Sequence, residues 1–136
     1  MNIRRAALTL FVGSAVISCS EGSIAAPPTA PTAALVSLVT PNTDDGALVV
    51  TLRGPDISDI QAVSSAHVLY SRHDATGHEA RVVVVGDING GPLVRITLGG
   101  GHSLSEYSAS IEQVAMRNDS LRVTTAGYQL SLTAAP

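Results

Sequence analysis

Arg81-Val82-Val83-Val84-Val85 sets four consecutive valines behind one arginine. β-Branched side chains are stiff at χ1 and suit a pleated sheet surface better than a helix. An unbroken apolar run of this kind predicts a central strand covered on both faces. Downstream, Asn89-Gly90-Gly91-Pro92 supplies the positive φ angles that tight turns require, which predicts a hairpin. The returning strand would be Val94, Ile96 and Leu98, alternating with Arg95 and Thr97.

The same grammar extends in both directions. Leu48, Val50 and Leu52 alternate with Val49, Thr51 and Arg53, a period of two with one buried face. Ala66 to Tyr70 forms a shorter, less clearly sided strand. Tyr107, Ala109, Ile111 and Ala115 share one parity, and Ser108, Ser110 and Glu112 the other. Leu121, Val123 and Thr125 alternate with Arg122 and Thr124, and Tyr128, Leu130 and Leu132 with Gln129, Ser131 and Thr133. Asp45-Gly46, Gly54-Pro55-Asp56, Ala75-Thr76-Gly77, Gly99-Gly100-Gly101, Asn118-Asp119-Ser120 and Gly127 punctuate these runs. The only helix candidates are weak: Ile57 to Ser64, and Ser105 to Arg117 if its strand reading fails. The pattern predicts an all-β fold: a single antiparallel β-sandwich of about seven to nine short strands over residues 34–134.

Ahead of the sandwich stands an export leader. Arg4 and Arg5 precede an apolar core, Ala6 to Ile17, and small Ser18 then precedes Cys19. Charge, a short apolar core and a small-residue site make a secretory signal, whereas a membrane-spanning helix needs about 20 apolar residues. Val16-Ile17-Ser18-Cys19 resembles the lipobox of bacterial lipoproteins. That resemblance implies a signal peptide over residues 1–18, cleavage between Ser18 and Cys19, and lipidation of the Cys19 thiol. The alternative is ordinary cleavage nearer Ile24-Ala25-Ala26. Several acyl chains on one cysteine would make a stable anchor, which one chain does not. By the sorting habit of the lipoproteins it resembles, Ser20 after the cysteine, rather than aspartate, favours the outer membrane where a cell has one. Residues 19–33 carry Pro27, Pro28 and Pro31 among Ala, Ser and Thr, and read as a semi-rigid tether.

Composition narrows the roles. Removing Arg4 and Arg5 leaves six basic side chains against eleven acidic ones, a net charge of −5, and the chain has no lysine. An acidic domain without a basic cluster is a poor nucleic-acid binder. With Cys19 used as anchor, no disulfide can form inside the domain, so packing alone must hold it. Aromatic residues are 3% of the chain, so Val, Leu, Ile and Ala must fill the core. Tyr70, Tyr107 and Tyr128 fall in predicted strands, where core or sheet packing is expected.

No catalytic or metal constellation emerges. Asp87 and Asn89 mimic the opening of a calcium loop, but its fifth and twelfth places hold Gly91 and Leu98, so a hairpin turn is the better reading. His73 and His78 bracket a predicted loop and lack thiolate partners. Gly101-His102-Ser103-Leu104-Ser105 lacks the second glycine of a nucleophile elbow. The glycines at 99–101 have no lysine to complete a phosphate loop. Asp44-Asp45 and Asp56/Asp59 read as solvated turn acids rather than a glycosidase pair. The chain is expected to be neither an enzyme nor a cofactor or metal protein.

Gly46 to Leu52, Ala80 to Gly86 and Gly91 to Leu98, with Gly127 to Leu132 as a closing strand, resemble cohesin-type and other immunoglobulin-like bacterial sandwiches. The resemblance implies a protein-docking face and no particular binding residues. The expected role is a cell-envelope lipoprotein, membrane-held through its lipid and facing the periplasm or exterior, whose sandwich binds a protein or glycan partner. The alternatives are a structural accessory subunit of an envelope assembly, or a small hydrolase if His102 or His73 meets a serine and an acid.

Overall fold

The computed structural model describes residues 30–136. The leader, Cys19 and the tether as far as residue 29 lie outside the described residues. Eight strands follow: β1 Ala33–Val39, β2 Asp45–Arg53, β3 Ile60–Ala62, β4 Val68–His73, β5 Glu79–Ile88, β6 Gly91–Thr97, β7 Ser108–Met116 and β8 Gln129–Ala134. All pair antiparallel, in a first sheet ordered β3-β6-β1-β8 and a second ordered β4-β5-β2-β7. Among the described residues there is no α-helix, only a 3-10 turn at Leu104–Glu106. The expected β-sandwich is the fold.

Its core follows from alternation. Ala34, Val36 and Leu38 of β1, with Val94 and Ile96 of β6, point inward from the first sheet. Leu48, Val50 and Leu52 of β2, Val82 and Val84 of β5, and Val114 of β7 meet them from the second. Each Val, Leu or Ile among them contributes about 1.5–3 kcal/mol by leaving water. β1 lies between β6 and β8, with Ala33 opposite Thr97 and Ala34 opposite Ala134.

Four local expectations are corrected. The valine run is central, between β4 and β2, but covered on one face only: Val82 and Val84 are buried while Val85 is 39% exposed. Asn89-Gly90 does not close a hairpin. β5 belongs to the second sheet and β6 to the first, so this two-residue link crosses between layers, with Gly90 and Gly91 at φ 87° and 84°. Residues 57–64 hold β3 rather than a helix. Leu121 to Thr125 is not a strand; it is an excursion touching β7 through one isolated bridge, Ala115 to Leu121.

A bulge explains a fifth difference. The β2–β7 register shifts between Val49 and Val50, leaving Glu112 without an opposite number. Parity flips there, so Val114 rather than Ala115 enters the core.

Candidate binding face on the second sheet

Alternation that buries one side of β4, β5, β2 and β7 must present the other side to solvent. The register assembles that outer face in rows. Val68, Val85, Ala47 and Ala115 form one row; Tyr70, Val83, Val49 and Gln113 form the next. Val68 is 53% and Tyr70 64% exposed, and Val83, Val49 and Ala47 are partly so. A contiguous exposed apolar surface on a folded domain marks an interaction site more often than a surface accident. Tyr70 is therefore not packed away as expected: it is an exposed ring on the β4 edge of this face.

The row beyond is charged. Arg72 of β4 stands directly opposite Arg81 of β5, with Thr51 of β2 next in line. Like charges directly across a ladder repel. Arg81 is relieved by an ion pair with Glu112, the bulge residue, whose carboxylate also accepts from the Thr51 hydroxyl. Arg53 and Glu79 pair at 2.7 Å in the row after that. Arg72 has no ion-pair partner among the described residues. It borders an open groove of about 310 Å³ lined by Arg72, His73, Asp74, Ala75, Glu79 and Arg81. Asp74 is tied into the β4–β5 turn, accepting from the Thr76 hydroxyl and, at 3.1 Å, from the Glu79 amide. Those bonds hold its carboxyl down at about 2.

At the opposite end of the face lies a second open groove, of about 530 Å³. Gly46, Ala47, Val85, Gly86, Asp87 and Arg117 contribute to its lining, and Asp87 lies 3.4 Å from Arg117.

The two edges of this sheet are built differently. β4 is a regular six-residue edge, paired with β5 without a bulge. β7 is capped: the Met116 amide donates to the Ser120 carbonyl and the Arg122 amide to the Val114 carbonyl, both at 2.8 Å. A buried carboxylate holds that cap. Asp45, fully buried at the start of β2, accepts from Thr40 Oγ1 at 2.8 Å, Tyr128 Oη at 2.8 Å and Arg122 Nε at 3.0 Å. Arg122 reaches Asp44 as well, and Asn42 donates to Tyr128 Oη at 2.7 Å. Burial pushes the Asp45 carboxyl up, but the Thr40, Tyr128 and Arg122 hydrogen bonds together hold it below the usual carboxylate range. Hydrogen bonding to Asp45 in turn raises Arg122. Asp45 is thus no solvated turn acid, and Tyr128 serves this network from just ahead of β8.

The remaining sequence-flagged groups stay apart. His102 Nδ1 lies 3.1 Å from Glu106 Oε2 and its Nε2 3.8 Å from Asp56 Oδ2, while Ser103 Oγ bonds Ser105 Oγ. The histidine therefore faces two carboxylates and no serine hydroxyl. Asp59 accepts from Gln61 rather than meeting Asp56. Among the described residues no three His, Cys, Asp or Glu side chains converge as a metal site would require. Tyr107 is buried ahead of β7, its ring against Gly54, where an added Cβ would stand 2.2 Å from Cδ1.

Sequence reasoning missed the outer face. The available signal was the parity of Val68, Tyr70 and Arg72 read together with valines on both parities of β5. Compared with known proteins, the chain matches no family model, no curated protein and no solved structure.

Proposed function

We propose that this chain is a cell-envelope lipoprotein, cleaved between Ser18 and Cys19 and anchored through the lipidated Cys19, whose sandwich is a binding module. Its contact surface is the outer face of the second sheet, and its expected residence is the outer membrane in a cell that has one. The leader and the lipobox-like Val16-Ile17-Ser18-Cys19 support the anchor. The single observation that carries the binding role is the exposure of Val68, Tyr70 and Val85 together on one sheet face. A monomer that leaves such a patch in water forgoes burial that a partner would supply.

Two measurements test this. Intact mass and detergent partitioning of protein from its own host should show acyl mass and recovery in the detergent phase, both lost in Cys19→Ser. A photo-crosslinker at position 70 or 85 should trap an envelope component, whereas one at position 133, on the first sheet, should not. A free thiol with aqueous partitioning would refute the anchor; absence of crosslinks from both 70 and 85 would refute the binding face.

A structural subunit of an envelope assembly is the second reading, favoured by the regular, uncapped edge of β4. It would use the same face for a permanent neighbour.

A further inference from the structure

Deepening that reading and resting on it, we propose that β4 takes an extended segment of a partner protein as an added strand, and that this segment carries an acidic residue facing Arg72. Three observations converge on this occupant. An edge strand directs alternate N–H and C=O groups away from its sheet, ready to pair with an extended chain. β4 does so over six residues without a proline, a bulge or a cap. Of the other edges, β7 is interrupted by the Glu112 bulge and capped over Val114–Met116 by residues 120–122, and β3 is three residues long. β8 is as long as β4, but its outward side chains, Gln129, Ser131 and Thr133, offer neither charge nor apolar area.

The second observation is electrostatic. Arg72 and Arg81 stand opposite each other, Arg81 is answered by Glu112, and Arg72 has no ion-pair partner among the described residues. A carboxylate on an added strand beside Arg72 would supply the missing opposite charge in a cross-strand pair. The third is the apolar continuation. Two and four residues back along β4, on the same face, stand Tyr70 and Val68.

Together these fix a pattern. An added strand antiparallel to β4 passes Arg72 first, then Tyr70, then Val68. Its outward side chains therefore read acidic-x-apolar-x-apolar from N to C, the period of two that all strands share. The backbone ladder supplies affinity and the three side chains supply selectivity. Arg72 sets the register, because a one-residue slip would turn the acid to the opposite face.

The test uses the full-length protein in detergent. One synthetic probe has glutamate followed by valines two and four residues later, with threonines between; a second replaces the glutamate with lysine. The acidic peptide should shift amide resonances of β4 and β5 and leave β8 unmoved. Arg72→Glu should weaken it on the order of tenfold, and the lysine peptide should bind that variant better than it binds wild type. Arg72→Gln, uncharged and exposed, should fall between the two.

Equal affinity of wild type for both peptides, or shifts on β8 instead of β4, would overturn the proposal. So would a homodimer that occupies β4 and excludes the peptide, or phosphatidylglycerol vesicles binding through Arg72 where the peptide does not. Loss of peptide binding alongside a strong crosslink from position 70 would defeat strand addition while leaving the binding face standing. Loss of both defeats the two together.

Discussion

The two edges of the second sheet solve the same problem in opposite ways. β7 carries a bulge at mid-strand and a cap at its end: Glu112 is squeezed out, and residues 120–122 return to bond the Met116 and Val114 backbone. β4 has neither device. Bulges and covering segments are how sheets avoid unwanted pairing, so their presence at one edge makes their absence at the other informative. The protected edge is also the one joined to the buried polar network, while the open edge borders the exposed Val68, Tyr70 and Arg72. The buried polar network is concentrated on one side of the sheet and the exposed apolar and unpaired charged side chains on the other.

The hardest way to break this contrast is to remove the cap's fastener. Arg122→Ala leaves Asp45 buried without its guanidinium, and should cost about 3–5 kcal/mol in urea unfolding. The Met116 amide, bonded to Ser120 in the native cap, should then lose its protection against hydrogen exchange, so that β7 comes to resemble β4. Next in size, Gly54→Ala drives a methyl into the Tyr107 ring where that residue leads into β7. A cost of about 1–3 kcal/mol is expected from thermal melting.

Acid separates the edges further. The Asp45 carboxyl is held below its unfolded value, near 4, so its contribution is complete above about pH 4 and is lost as pH falls through the lower folded value. In Arg122→Ala the upward push of burial is opposed by hydroxyl donors alone. Its deficit relative to wild type should be largest at neutral pH and shrink below about pH 4, measurable as unfolding midpoints against pH. The smallest effect belongs to the open edge: Tyr70→Ser should change stability by no more than about 0.5 kcal/mol in the same assay, because its ring is 64% exposed.

How far the sequence reveals this molecule depends on the range of the interactions. Leu48, Val50 and Leu52 declare their buried face by local alternation, and the sheet bears it out. The same rule fails for Leu121 to Thr125. There the alternating Arg122 is drawn inward by Asp45, 77 positions away, and Val123 is left wholly in solvent. Asn89-Gly90-Gly91 carries the right chemistry for a turn but no information on which sheet follows it. β1 escaped notice because Ala33 and Ala34 continue a proline- and alanine-rich stretch into a strand that two neighbours make central. The outer face of the second sheet was hidden for a related reason: Arg72 and Arg81 become neighbours only through register. Asp45 reads as one of two turn acids until Thr40, Tyr128 and Arg122 surround it.

The place of β1 between β6 and β8 has a mechanical meaning. The described chain enters β1 directly at Ala33, so a pull arriving from that side acts on a strand hydrogen-bonded along both flanks. Such a load must shear two ladders at once instead of peeling one open, and the layer that meets the tension is not the layer that presents Tyr70.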